Sequence, residues 1–189
     1  LAMIRTTSRN CLKPVLTSQI PKIKLNTAFC QSSSFIGFGA IGPSVWKQCS
    51  SIHSIESFAF SINNGNLRRT NYAGTIASWC KIKFNGITAT PTSESGTLFI
   101  NNVEIKDLVI PEGVDTVGNY AFCGCFGLNS ITIPSSVTTI GDSAFWCCYS
   151  LKSITCYATT PPICGNSCYY FVQKSIPVYV PARSISAYK

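Results

Sequence analysis

Charge is scarce in this chain. Of its 189 residues only 12% are Asp, Glu, Lys or Arg, about half of the usual quarter. Exposed positions must therefore be largely Ser, Thr, Asn and Gly. Histidine is scarcer still, with His53 the single copy. A Ser/His/Asp or Cys/His catalytic site needs a histidine oriented by a third group, and no G-x-S-x-G nucleophile motif accompanies it. The acids number seven and are dispersed, so a glycosidase-like carboxylate pair could arise only through folding. No run of 18 apolar residues occurs, which excludes a membrane-crossing helix. The chain opens Leu1-Ala2-Met3-Ile4-Arg5, and its first thirty residues lack the basic, apolar, small-residue order of a signal peptide. That is the expectation for a processed form or a fragment.

What is present is apolar and unevenly charged. A hydrophobic content of 46% in 189 residues supplies one domain with a continuous core. Residues 1–83 hold ten Lys/Arg against Glu56, giving +9, whereas 84–189 hold five against six, giving −1. The basic residues are scattered, with no run longer than Arg68-Arg69. Generic solvated charge is thus favoured over a nucleic-acid patch.

The most informative feature is self-similarity. Ile110-Pro111, Val114, Gly118, Ala121-Phe122, Cys125, Leu128 and Ile131 recur 23 residues later as Ile133-Pro134, Val137, Gly141, Ala144-Phe145, Cys148, Leu151 and Ile154. A period in the 20s belongs to a solenoid, whose units bury their apolar faces only against neighbours. In Leu128-Asn129-Ser130-Ile131-Thr132-Ile133-Pro134, Leu128, Ile131 and Ile133 follow an L-x-x-L-x-L spacing and predict a short strand, apolar-in and polar-out. Pro134 has no N–H and ends the pairing. Gly141 permits a bend, and Ala144-Phe145 returns to the core. Each unit runs as strand, turn, second apolar segment and aromatic anchor.

Elsewhere the pattern is weaker. Ile41-Gly42, Val45-Trp46, Cys49, Ile52 and Ile55 match Ile140-Gly141, Ala144-Phe145, Cys148, Leu151 and Ile154 at an offset of 99. His53 then falls at the position of Lys152 and should face solvent. Residues 1–36 read as a degenerate repeat or N-terminal cap. Segment 56–107 carries no repeat. Within it, Thr97 to Ile105 reads as a hairpin turning at Asn101-Asn102, and Asn85-Gly86 is a second turn signal. Thr159-Thr160-Pro161-Pro162 is expected to break the third unit before its Gly and Ala-Phe positions. Ile176 to Pro181 then forms a terminal strand covering the last apolar face.

Eleven cysteines in a short secreted protein would suggest a disulfide scaffold. Here Cys49, Cys125 and Cys148 share one repeat position, so they are expected as buried thiols rather than disulfide partners. Parallel core side chains have poor disulfide geometry. Cys123 and Cys147 lie off that register and are expected at the surface. Cys164-x-x-x-Cys168 has no second pair and no nearby His, so no metal is assigned. Phe122, Phe145 and Trp46 are core anchors by register, while Phe126, Tyr149, Tyr169 and Tyr170 are off register: exposed, they could grip a protein or a sugar face, but filling the cap is the more common use. Gly37-Phe38-Gly39-Ala40-Ile41-Gly42 matches G-x-G-x-x-G, but no helical pattern follows and no acid lies about 20 positions on. No cofactor is expected.

The unit I-P-x-x-V-x-x-[IV]-G-x-x-A-F-x-x-C-x-x-L-x-x-I resembles the BspA-type (Treponema pallidum-type) leucine-rich repeat of bacterial surface proteins. Tyr72 to Cys80 resembles the G-T-x-x-x-W-C segment of such proteins, and Leu98 to Pro111 their L-x-I-N-x…L-x-I-P passage. Tyr179-Val180-Pro181-Ala182…Ala187-Tyr188 is similar to their closing Y-V-P-x…A-Y segment. The likeness covers about residues 37–189. It implies a strand-rich, α/β-type repeat solenoid of right-handed sense. Its parts are an insert at 56–107, regular repeats at 108–156 and a C-terminal cap at 157–189. It also implies display at a cell surface or secretion, adhesion to a host extracellular protein or glycan, and no shared catalytic residues. A surface hydrolase using the dispersed acids, or a structural spacer of a larger exported protein, are the alternatives.

The residues expected to make contact are the outward strand positions Asp107 and Val109, Ser130 and Thr132, and Ser153 and Thr155, with Lys152 at the edge. Together they form a flat, weakly charged strip suited to a protein surface or glycan. Small polar and β-branched residues also suit an exposed strand for its own sake.

Overall fold

The computed structural model describes residues 35–36, 44–48, 52–57, 67–170, 172 and 175–189. The readings of residues 1–34, of Gly37 to Gly42 and of Cys49 lie outside these. Short strands dominate: β1 (Phe35–Ile36), β2 (Ser44–Gln48), β3 (Ser54–Ile55), β4 (Leu67–Tyr72), β5 (Lys83–Phe84), β6 (Leu98–Ile100), β7 (Val103–Glu104), β8 (Asp107–Val109), β9 (Thr116–Val117), β10 (Ser130–Ile133), β11 (Thr139–Ile140), β12 (Ser153–Cys156), β13 (Ile163–Cys164) and β14 (Val178–Tyr179). Two helical turns, α1 (Ile76–Cys80) and α2 (Pro91–Ser95), precede β6, and a 3-10 helix spans Ala182–Tyr188. Among the described residues no helix is long and apolar enough to cross a membrane.

The strands form four small sheets, in the orders β1-β3-β5, β2-β4-β6-β7, β14-β12-β10-β8 and β13-β11-β9. Nearly all pairing is parallel. Among the described residues the exception is β6 with β7, antiparallel across Asn101 and Asn102, whose φ angles are 50° and 68°. Asparagine tolerates that left-handed backbone because its short amide bonds locally.

Register follows the repeat. Ser130, Ile131, Thr132 and Ile133 of β10 pair with Ser153, Ile154, Thr155 and Cys156 of β12, each 23 residues on. Ile131 and Ile133 are each 1% exposed, as alternation along a strand dictates. Each such side chain contributes about 1.5–3 kcal/mol by leaving water. The apolar rows Leu108-Ile131-Ile154, Val117-Ile140 and Phe122-Phe145 make one continuous core.

The third unit departs from its expected end. β11 pairs with β13 through Thr139–Ile163 and Ile140–Cys164, a separation of 24 where β9 to β11 has 23. The bend Thr159-Thr160-Pro161-Pro162 absorbs one extra residue instead of ending the unit. Beyond it Cys164, Gly165, Cys168 and Tyr169 occupy the places of Ile140, Gly141, Ala144 and Phe145. Backbone bonds from Phe122 to Ala144 (2.8 Å) and from Phe145 to Cys168 (2.8 Å) carry the correspondence. Tyr169 is accordingly one of the aromatics that pack against the core. It stacks on Phe145 with centroids 5.3 Å apart and planes 6° from parallel.

Cys123 and Cys147 also differ from expectation, at 0% and 4% exposure. α2 lies against the turn that carries Cys123: the Thr92 hydroxyl donates to the Cys123 carbonyl at 2.6 Å. Cys147 takes a left-handed backbone (φ 61°), and the Tyr149 hydroxyl donates to its sulfur at 3.0 Å.

The segment before the regular units joins their core through α1. Thr75 caps this helix, its hydroxyl accepting the Ser78 N–H while Ser78 Oγ accepts the Thr75 N–H. That fixes Trp79, fully buried, whose Nε1 donates to the Ala121 carbonyl at 2.7 Å. At the other end a cavity of about 420 Å³, lined by Ile140, Ile154, Cys156, Tyr169, Val172 and Tyr188 among others, lies beside the C-terminal 3-10 helix.

Candidate binding face

The sheet β14-β12-β10-β8 places the outward strand residues in two rows. Asp107, Ser130 and Ser153 form one, and Val109, Thr132 and Thr155 the other. Neighbours within a row lie one strand spacing apart, about 4.8 Å. Asp107 and Val109 are exposed, while the serines and threonines are partly exposed. Lys152 is exposed at the edge, its backbone N–H donating to the Asn129 carbonyl.

The rows are not chemically uniform. The Ser130 hydroxyl donates to Asp107 Oδ1 at 2.6 Å, which engages both groups. The second row has no charge and gains a member that repeat counting missed. Thr155 pairs with Tyr179 of β14, so the row reads Val109-Thr132-Thr155-Tyr179. Val109 and Tyr179 are 57% and 58% exposed. The missed signal was the one-residue insertion: Tyr179 stands 24, not 23, after Thr155. An exposed aromatic pair sits at equivalent turn positions, Phe126 and Tyr149, with centroids 5.5 Å apart.

The remaining candidate groups do not converge on this face. His53 is exposed. Glu112 and Asp115 are exposed, and Asp142 Oδ1 accepts the Asn166 N–H at 2.6 Å, which gives that carboxylate a backbone partner. Burial pushes the Cys80, Cys123 and Cys125 thiols up to about 12 and Cys148 well above its ordinary value. A thiol that holds its proton at neutral pH is neither a good nucleophile nor a metal ligand. Among the described residues no group of three or more His, Cys, Asp and Glu side chains is placed to hold a metal ion.

Comparison with curated proteins and with solved structures finds no match. The sequence itself is more telling, for the parallel register, the stacked rings and the outward rows all fall in one stretch. Residues 94–188, half of the chain, match the profile described as the BspA type leucine rich repeat region (6 copies), and the chain belongs to that family.

Proposed function

We propose that this chain is the contact module of an exported, surface-displayed protein, and that it holds a host extracellular protein or a glycan against the outward rows of β8, β10, β12 and β14. Repeats of this family are typically non-enzymatic modules of surface proteins, which supports the general reading. The observation that carries the finer one is the row Val109-Thr132-Thr155-Tyr179, four outward residues in parallel register with no charge among them. A flat uncharged row, with an aromatic at one end and Asp107 and Lys152 at its margins, fits a broad neutral partner. It offers no enclosed site for a small charged metabolite. Tyrosine is effective in such contacts because its ring gives apolar area and its hydroxyl a hydrogen bond.

The test is a panel of immobilised extracellular-matrix proteins and arrayed glycans probed with the purified chain. Saturable binding to a panel member is expected. Thr132→Lys with Thr155→Lys should abolish it while leaving the melting temperature nearly unchanged, since exposed substitutions cost little. Undiminished affinity in the double variant would move the site off this sheet, with segment 56–107 the next candidate. No saturable binding to any member would favour a structural spacer.

A further inference from the structure

The third unit carries small side chains at inward positions where the earlier units carry large ones. The row Ile110-Ile133 continues to Cys156, and the row Val117-Ile140 continues to Cys164. Each exchange withdraws apolar volume from a core that the earlier units fill. The space left is the cavity of about 420 Å³, walled by Ile133, Ile140, Ile154 and Cys156 on one side and by Val172 and Tyr188 on the other. Among the described residues no charged side chain lines it. The Tyr188 hydroxyl at its wall is already engaged, with the Cys156 sulfur at 3.2 Å and the Ala158 carbonyl at 2.9 Å. A buried water needs about two to four polar partners, whereas an apolar cavity of about 150 Å³ stays dry and takes up benzene. Val178 and Tyr188 also line a neighbouring hollow, whose other walls are Val180, Ile185 and the exposed Lys189. The charge around this end has one sign. Residues 143–189 hold Lys152, Lys174, Arg183 and Lys189 and no Asp or Glu.

We propose that this end of the molecule holds one free fatty acid, its hydrocarbon tail in the cavity and its carboxylate in the hollow beside Lys189. The cavity's volume falls within the range of about 300–1,000 Å³ usual for small-molecule sites. Scaled from benzene's six carbons in about 150 Å³, it has room for roughly a dozen carbons. That is one acyl chain and not two, which favours a free fatty acid over a diacyl lipid. The tail gains its free energy by leaving water, at about a fourfold increase in affinity for each methylene buried. The head group gains from Lys189, with no acid in this part of the sequence to oppose it. A small charged metabolite has no such match, because the cavity would strip its water and return no hydrogen bonds.

The inference holds whether or not the outward rows bind a partner. The experiment is isothermal titration calorimetry of the reduced native chain with dodecanoate, decanoate and octanoate below their micelle concentrations, and with 1-decanol. One molecule per chain is expected, with affinity falling about fourfold for each methylene removed. Cys156→Ile restores the side chain that the earlier units carry, so it should fill the space and weaken dodecanoate at least tenfold without lowering the melting temperature. Val172→Phe fills the cavity from its other wall and should weaken dodecanoate as well, with the Cys156–Tyr188 bond left in place. Lys189→Gln should lower the affinity for dodecanoate about two- to fivefold and leave 1-decanol unchanged. No saturable binding of dodecanoate, or octanoate bound as tightly as dodecanoate, would overturn the proposal. So would unchanged affinity in both filling variants, or in Lys189→Gln.

Discussion

The side-chain Oδ1 of Asn119 accepts the backbone N–H of Asp142 at 2.9 Å, and Asp142 Oδ1 accepts the N–H of Asn166 at 2.6 Å in the same way. Three residues at one position of successive units thus form a ladder beside the stacked glycines Gly118, Gly141 and Gly165. The Asn119 and Asp142 side chains each satisfy a backbone donor in the next unit, at a corner where the sheet hydrogen bonds have ended.

Removing one rung tests this ladder. Asn119→Ala should cost about 0.5–1.5 kcal/mol, because the freed N–H regains water at this exposed corner. Asn119→Asp should be nearly neutral, since a carboxylate accepts the same bond. Urea unfolding monitored by circular dichroism measures both, and equal losses in the two variants would deny the rung its role.

The glycines beside it are there for space. A Cβ on Gly141 would lie 2.6 Å from the Asn119 backbone nitrogen and 2.8 Å from the Gly118 carbonyl carbon. Gly141→Ala should therefore cost about 1–3 kcal/mol or more by forcing adjacent units apart. Gly113 has φ +83° and open space around it, so Gly113→Ala carries only the left-handed strain of about 1–2 kcal/mol. Thermal melts of the two variants should rank Gly141→Ala as the more damaging.

The stacked rings should dominate the core. Phe145 lies between Phe122, at 5.5 Å, and Tyr169, at 5.3 Å, and is fully buried. Phe145→Ala is expected to destabilise by about 3–5 kcal/mol. Trp79→Phe should cost less, about 1–3 kcal/mol, by leaving the buried Ala121 carbonyl without its donor. Chemical denaturation gives both values, and the reverse ranking would contradict the stacking argument.

Cys164 should alkylate with an unusual pH dependence. Only the thiolate reacts, and its pKa of about 7 is set first by the hydrogen bond from Cys168. The iodoacetamide rate constant should rise about tenfold per pH unit below pH 7 and level off above it. Cys168→Ala removes that bond and should move the inflection up toward about 8.5. An unmoved inflection would show that Cys168 does not hold the thiolate.

The regular units were legible because their physics is local and periodic. Ile131, Ile133 and Ile154 announce inward strand positions by alternation, and Phe122 with Phe145 announces a ring stack by spacing. His53 faces solvent where the register put it, and Asn101-Asn102 takes the turn its residue type permits. Segment 56–107 showed no period because its loops differ in length: Ser54 pairs with Lys83 after 29 residues and Thr70 with Leu98 after 28. The parallel pairing is nevertheless the same. Hydrogen bonds between strands constrain the ends of a connection, not its length.

The sequence by itself determined the family, the inward and outward faces of the regular strands, and the burial of Cys125 and Cys148, since each follows from spacing along one chain. Tertiary structure decided where the count slips. One inserted residue at Thr159–Pro162 is accommodated by a bend, which returns Tyr169 to the ring stack and Tyr179 to the outward row. It also decided that Cys123 is buried beneath α2 and that Cys164 is exposed on the outermost strand of its sheet while Cys168 is buried on the turn that follows. Burial there depends on which distant segment lies on top, and a residue's own neighbours in sequence do not contain that information.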